Sequence, residues 1–207
     1  MTPPDRMRDA LIAFYTDRTD EAGDARALLG RIVARLQAAT PRTPPVPRTL
    51  PATRHWDALL ARSALSPFPA LNEALAALAP ALHWQQNPNY SDAVMGDGYM
   101  DNYGYAALAG GDGAFLDAAD IRIGLLLIGP HRHYPPHSHE AEEVYNALAS
   151  EATRWRRGDE DWRTYPLGDP IHHPPWMVHE TETGDEALLA LYCWYGESAN
   201  AALVGDG

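Results

Sequence analysis

Hydrophobic positions in the first third of the chain recur at helical spacing. Over residues 5–17, Met7, Leu11 and Phe14 fall on one face of a helix. A clearer pattern follows, in which Leu28, Leu29, Ile32, Val33 and Leu36 form an apolar stripe and Arg26, Arg31 and Arg35 take the solvated side. Thr40–Pro51 then carries prolines at 41, 44, 45, 47 and 51, too many for a helix or a central strand, because each removes a backbone donor. That stretch reads as a linker or an extended wrap over the surface. Helical patterning resumes at Trp56, Leu59 and Leu60. After Pro67 and Pro69 it returns as Leu71, Leu75, Leu78 and Leu82.

The pattern changes after Trp84. Asn87–Pro88–Asn89 is turn chemistry, and glycines appear at 96, 98, 104, 110, 111 and 113. Short strand-like runs separated by such turns follow: Tyr99–Leu108, Ile121–Ile128, a hairpin around Ala141, Arg154–Arg156, Asp161–Tyr165, Trp176–Thr181 and Ala187–Tyr195. Many short strands of this kind predict a β-sandwich or barrel. The expected organisation is a helical region with a proline-rich linker over residues 1–86, packed on a β-barrel over 87–207.

Chemistry concentrates in His131–Tyr145, HRHYPPHSHEAEEVY. On a strand, His137 and His139 project to the same side, and beyond the turn Glu143 and Tyr145 share a face with Val144 on the other. Two imidazoles and a carboxylate make an N/O ligand set suited to one divalent ion, whether zinc, iron, manganese or nickel. His179, on a later strand, is the fourth donor. His172–His173 precede Pro174–Pro175 and are expected in a loop, at the surface or alternatively at a pocket rim, and Glu140 and Glu142 are expected to face solvent.

Charge and cysteine usage narrow the partners. A net charge of −12 argues against nucleic acid and against an anionic membrane surface. The single cysteine, Cys193, excludes an internal disulfide and sits in an apolar strand as a small buried hydrophobe. No apolar run approaches the roughly 20 residues that span a bilayer, and the N-terminus lacks a signal-peptide layout, so a cytoplasmic location is expected. A homodimer is compatible with all of this.

The motifs resemble the cupin superfamily, which implies a mainly β, jelly-roll barrel behind an α-helical N-terminal region. The first cupin motif, G-x5-H-x-H-x3,4-E-x6-G, is matched at His137, His139 and Glu143, with Ser150 where its closing glycine falls. The second, G-x5-P-x-G-x2-H-x3-N, is matched at Gly168, Pro174 and His179, with Trp176 and Thr183 in its glycine and asparagine positions. More narrowly, Tyr134–Tyr145 resembles the cupin-type dimethylsulfoniopropionate lyases. The resemblance implies that His137, His139, Glu143 and His179 hold the metal, that Tyr145 is the base and that Tyr134 assists it. It further implies that Trp194 meets a small zwitterionic sulfonium substrate; strand alternation puts Tyr192 on the same face as Trp194, and Trp176 is expected to contact the substrate with them.

That chemistry suits those residue types. Removing the proton beside the carboxylate builds enolate-like charge, which a divalent ion stabilises as a Lewis acid, and aromatic faces attract a sulfonium cation. Two other readings use the same ligands: another metal cupin, such as a dioxygenase or isomerase, and a non-catalytic metal- or ligand-sensing cupin. Oxygen dependence separates the lyase from a dioxygenase, and the need for Tyr145 separates it from a sensor.

Overall fold

The computed structural model describes residues 1–20, 22–43, 45–63, 68–196 and 203–204. Pro44 and Pro67 of the proline-rich segments lie outside the described residues. The chain opens with α1 (Pro3–Thr19), whose start is set by Thr2: its hydroxyl and the Asp5 carboxylate cap each other's backbone, with Pro3 in the first turn. Helices α2 (Arg26–Ala38), α3 (Trp56–Ser63) and α4 (Pro69–Leu78) follow. Met7, Leu11 and Phe14 of α1 and Leu28, Leu29, Ile32 and Leu36 of α2 are buried, as their spacing predicts.

Two sheets follow the helices. The larger contains β1 (Thr40–Pro41), β4 (Leu116–Asp117), β3 (Tyr103–Ala109), β5 (Ile121–Ile128), β11 (Leu188–Tyr195), β7 (Glu142–Ala149) and β9 (Ile171–His173), in that order, with β2 (Trp84–Gln85) paired to β3. The smaller runs β12 (Leu203–Val204), β6 (His133–Ser138), β10 (His179–Glu182) and β8 (Arg154–Arg157).

Both faces of the larger sheet are covered. Ile123, Leu125 and Leu127 of β5, with Leu189, Leu191 and Cys193 of β11, join the helical side chains in one apolar cluster. Their alternating neighbours Leu126, Ile128, Leu188 and Ala190 join Tyr103, Tyr134, Tyr145 and Trp155 in a second cluster between the sheets. A strand buried on both sides needs apolar residues on both faces, which is why residues 123–128 read as a continuous apolar run after the exposed Arg122.

Several expected elements differ. The segment around Ala141 is not a hairpin, because β6 pairs with β10 in the small sheet while β7 pairs with β11 and β9 in the large one. The link His139–Ala141 therefore carries the chain from one sheet to the other. Tyr99–Leu108 begins as a short 3-10 turn, Met100–Asn102, and becomes a strand at Tyr103. Asp161–Tyr165 makes only an isolated bridge, Arg163 to Trp155. The strand expected from Trp176 starts at His179, after a turn. His172–His173, expected in a loop, form β9 and are buried at the sheet edge.

The two cupin-motif glycine positions show why glycine is usual there. Ser150 (φ 74°) and Trp176 (φ 62°) both keep the left-handed backbone that glycine adopts without cost. The turn geometry is retained, and the strain is carried by a side chain.

Candidate metal centre and cavity

The site lies where the two sheets face each other. In the small sheet His137 is the register partner of His179. In the large sheet Glu143 lies between His173 on one side and Trp194 on the other. His139, on the link between sheets, closes the group. His139, Glu143 and His179 are all buried and offer ligand atoms within 4.8 Å of one another, so this trio can hold a metal ion. His137 stands just outside it, its ring 4.2 Å from that of His179 and 6.5 Å from that of His139.

Backbone carbonyls set the imidazole tautomers. Nδ1 of His137 donates to Pro135 at 2.8 Å, that of His139 to Ala141 at 2.9 Å and that of His179 to Met177 at 2.9 Å. A carbonyl only accepts, so each Nδ1 carries a proton and each Nε2 is the atom turned toward the site; this is how metal-binding histidines are commonly oriented. His179 Nε2 lies 3.1 Å from Glu143 Oε2 yet makes no hydrogen bond, an orphaned nitrogen in a dry place. Such an atom is costly unless an ion meets it. The donor set and the orphaned nitrogen fit a divalent ion.

Without an ion, protons do the compensating. Burial opposes the charge on Glu143, but the charge and hydrogen bond of His139, with His179 close by, outweigh it and hold the carboxyl well below its ordinary range. Burial lowers His139, and Glu143 more than reverses this, leaving it raised. Burial, then the neighbouring His179, push His137 well below its ordinary value, so its imidazole is neutral. An ion entering here would displace the His139 proton.

The remaining expected residues divide. Tyr145 is buried on the same face as Glu143, its ring 5.7 Å from that of His173 and 6.2 Å from that of His179. Tyr134 stacks on His137, with centroids 4.0 Å apart and planes at 13°. Trp194 donates its Nε1–H to Glu143 Oε1, and its ring lies 4.5 Å from that of His139. Tyr192 packs edge-on against Tyr105 at 6.4 Å. A cavity of about 320 Å³ opens over Glu143, walled by Tyr103, Tyr105, Tyr134, Tyr145, Tyr192 and Trp194. Trp176 is not among its walls; it is 55% exposed, and what it contributes near the site is a backbone N–H to the His139 carbonyl at 2.8 Å. Glu142, expected to face solvent, is partly buried and pairs with Arg31 of α2 and with His172. Thr183, in the motif's asparagine position, bonds the Gly129 carbonyl and ties β10 to the loop before β6.

Three site residues escaped the sequence reading. His173 is 1% exposed, stacks on His179 at 4.0 Å and brings Nδ1 to 3.8 Å from Glu143. The prolines after it masked the strand signal. Tyr103 and Tyr105 alternate at period two within a segment already read as a strand, and that alternation was the available signal.

Two packed sheets with histidines from one and a glutamate from the other, at cupin-motif spacing, define a cupin. The sequence matches the dimethylsulfoniopropionate lyase family over residues 24–190, and the chain belongs to that family. It is 31% identical over 138 residues to the dimethylsulfoniopropionate lyase DddQ of Ruegeria pomeroyi, a match covering 66% of each chain. The crystal structure of DddQ from that organism superposes with a TM-score of 0.68 at 24% identity, covering 93% of this chain and 96% of that one. A chain from the crystal structures of the dimethylsulfoniopropionate lyases RdDddP and RnDddQII gives 0.71 at 19% identity, covering 96% and 100%. These likenesses extend through the helical region as well as the barrel. Among the described residues, no helix is long and apolar enough to cross a membrane.

Proposed function

We propose that this chain cleaves dimethylsulfoniopropionate to dimethyl sulfide and acrylate by β-elimination, with Tyr145 as the base. The observation that carries the reading is the aromatic cavity opening directly over Glu143, with Tyr145 in its wall. His137, His139, Glu143 and His179 would hold one divalent ion, with zinc, iron, manganese and nickel all suited to the donors. Such an ion would neutralise Glu143 and supply Lewis acidity to the substrate carboxylate.

The residues do the rest. The sulfonium lies against Tyr192 and Trp194, whose faces attract a cation without needing a counter-charge. As the phenolate, the Tyr145 oxygen takes the proton from the carbon beside the carboxylate and becomes the phenol. The C–H electron pair becomes the double bond, and the C–S pair leaves with sulfur as dimethyl sulfide. Burial, then the charge of Glu143, hold the Tyr145 hydroxyl well above its ordinary value. A divalent ion held beside it would counter both causes with its positive charge and favour the phenolate. Tyr134, on the opposite wall, assists at the carboxylate.

Tyr145→Phe tests this, because it removes one hydroxyl and keeps the ring. Dimethyl sulfide release, followed in headspace gas, should lose about 10²–10⁴-fold in kcat while metal content stays at the wild-type level. Near wild-type release from that variant would exclude the mechanism.

A further inference from the structure

Tyr90 belongs to no sequence motif and is not among the residues walling the cavity, yet its hydroxyl lies 2.9 Å from that of Tyr134 in a buried setting. Its ring packs edge-on against Tyr134 at 5.9 Å and tilted against Tyr103 at 5.8 Å. Either hydroxyl could donate. Tyr90 closes the Asn87–Tyr90 turn, and its N–H donates to the Asn87 carbonyl at 3.0 Å. The Asn87 side chain hydrogen-bonds the Tyr90 hydroxyl. Asn87 Oδ1 already accepts from the Asn89 N–H at 3.0 Å, which leaves the amide NH₂ as the group offered to Tyr90. A phenol oxygen that accepts from Asn87 still carries its own proton, and the Tyr134 oxygen is an acceptor 2.9 Å away.

The consequence falls on Tyr134. Its ring cannot turn away, because it is stacked on His137. A Tyr90 that donates leaves the Tyr134 O–H to point away from it, and Tyr134 is a wall of the cavity beside Glu143 and Tyr145. We propose that Tyr90 is a positioning residue: its hydroxyl occupies the Tyr134 oxygen and thereby holds the Tyr134 O–H as a fixed donor toward the substrate carboxylate. This rests on the lyase reading above. During elimination, negative charge grows on that carboxylate as the C–H bond breaks and shrinks again as the C–S bond gives up its pair to sulfur. A donor already aimed there gains strength in the transition state, so its contribution appears in kcat more than in KM.

Three variants of the metal-loaded protein separate this from simple packing: Tyr90→Phe, Tyr134→Phe and the double variant, each assayed for dimethyl sulfide release. Tyr90→Phe should lower kcat about tenfold, the scale of one hydrogen bond, with KM changed by less than about twofold. Tyr134→Phe should lower kcat by about 10²–10³-fold, as the loss of an oxyanion donor does. The double variant should be no slower than Tyr134→Phe alone, because Tyr90 has no other route to the reaction. Wild-type kcat in Tyr90→Phe would overturn the proposal. So would a double variant slowed by the full additional Tyr90 factor, which would mark Tyr90 as a packing residue. Failure of the wild-type protein to release dimethyl sulfide would instead bring down the lyase reading, and this inference with it.

Discussion

Trp194 is asked to do two things, and Trp194→Phe separates them. Its indole N–H donates to Glu143 Oε1, and its ring faces the cavity beside the ring of His139. Glu143 is 0% exposed, so no water replaces a donor that is removed. A hydrogen bond to a charged group is worth about 1.5–3 kcal/mol. At about 1.4 kcal/mol per tenfold, that is roughly 10–100-fold in affinity. The same range, about 10–100-fold, is typical when a metal ligand loses its outer partner. Phenylalanine keeps an aromatic face for the sulfonium, so KM should stay within about twofold while metal affinity falls by that factor. Trp194→Ala removes the face as well, and KM should then rise by the equivalent of about 1–2 kcal/mol. Chelator competition with elemental analysis gives the affinity, and headspace dimethyl sulfide gives KM. Unchanged metal affinity in Trp194→Phe would show that the bond to Glu143 does not orient the ligand.

Three further outcomes follow from the geometry. His139→Ala and His179→Ala should each strip most of the metal from purified protein, and full occupancy by elemental analysis in both would remove the site. Trp176→Gly should stabilise the chain by about 1 kcal/mol, since the left-handed cost of a bulky residue disappears and an exposed side chain loses little packing. A lower melting temperature, or a change in kcat/KM, would contradict the placement of Trp176 outside the cavity. Leu189→Ala, emptying a fully buried position in the cluster that joins sheet and helices, should cost about 2–5 kcal/mol in denaturant unfolding. A loss under about 1 kcal/mol would mean that the helices are not held through that face.

Local pattern carried much of the architecture. Helix faces such as Met7–Leu11–Phe14 were legible because one side of each helix is buried, and burial writes its period into the sequence. The strand Ile121–Ile128 was legible to the residue, since apart from the exposed Arg122 it is apolar on both faces, and turns bound it. Of the four expected ligands, His139, Glu143 and His179 come together, and a short motif pointed to them, while His137, expected from strand alternation beside His139, stands just outside the trio.

What the sequence could not settle was everything that depends on which strand lies beside which. His139–Ala141 has the composition of a hairpin turn, yet it crosses between sheets, and only the pairing of β6 with β10 and of β7 with β11 decides that. His173 looked like loop because prolines follow it; sheet-edge pairing with Glu143 places it against the candidate ligands. Trp176 was expected at the substrate, but a left-handed turn sends it to the surface. Tyr90, more than forty residues before Tyr134 along the chain, meets its hydroxyl only in the folded barrel. Periodicity is a property of one element against its surroundings and survives in one dimension. Register, sheet assignment and hydroxyl-to-hydroxyl contact are relations between distant elements, and they exist only once the chain has folded.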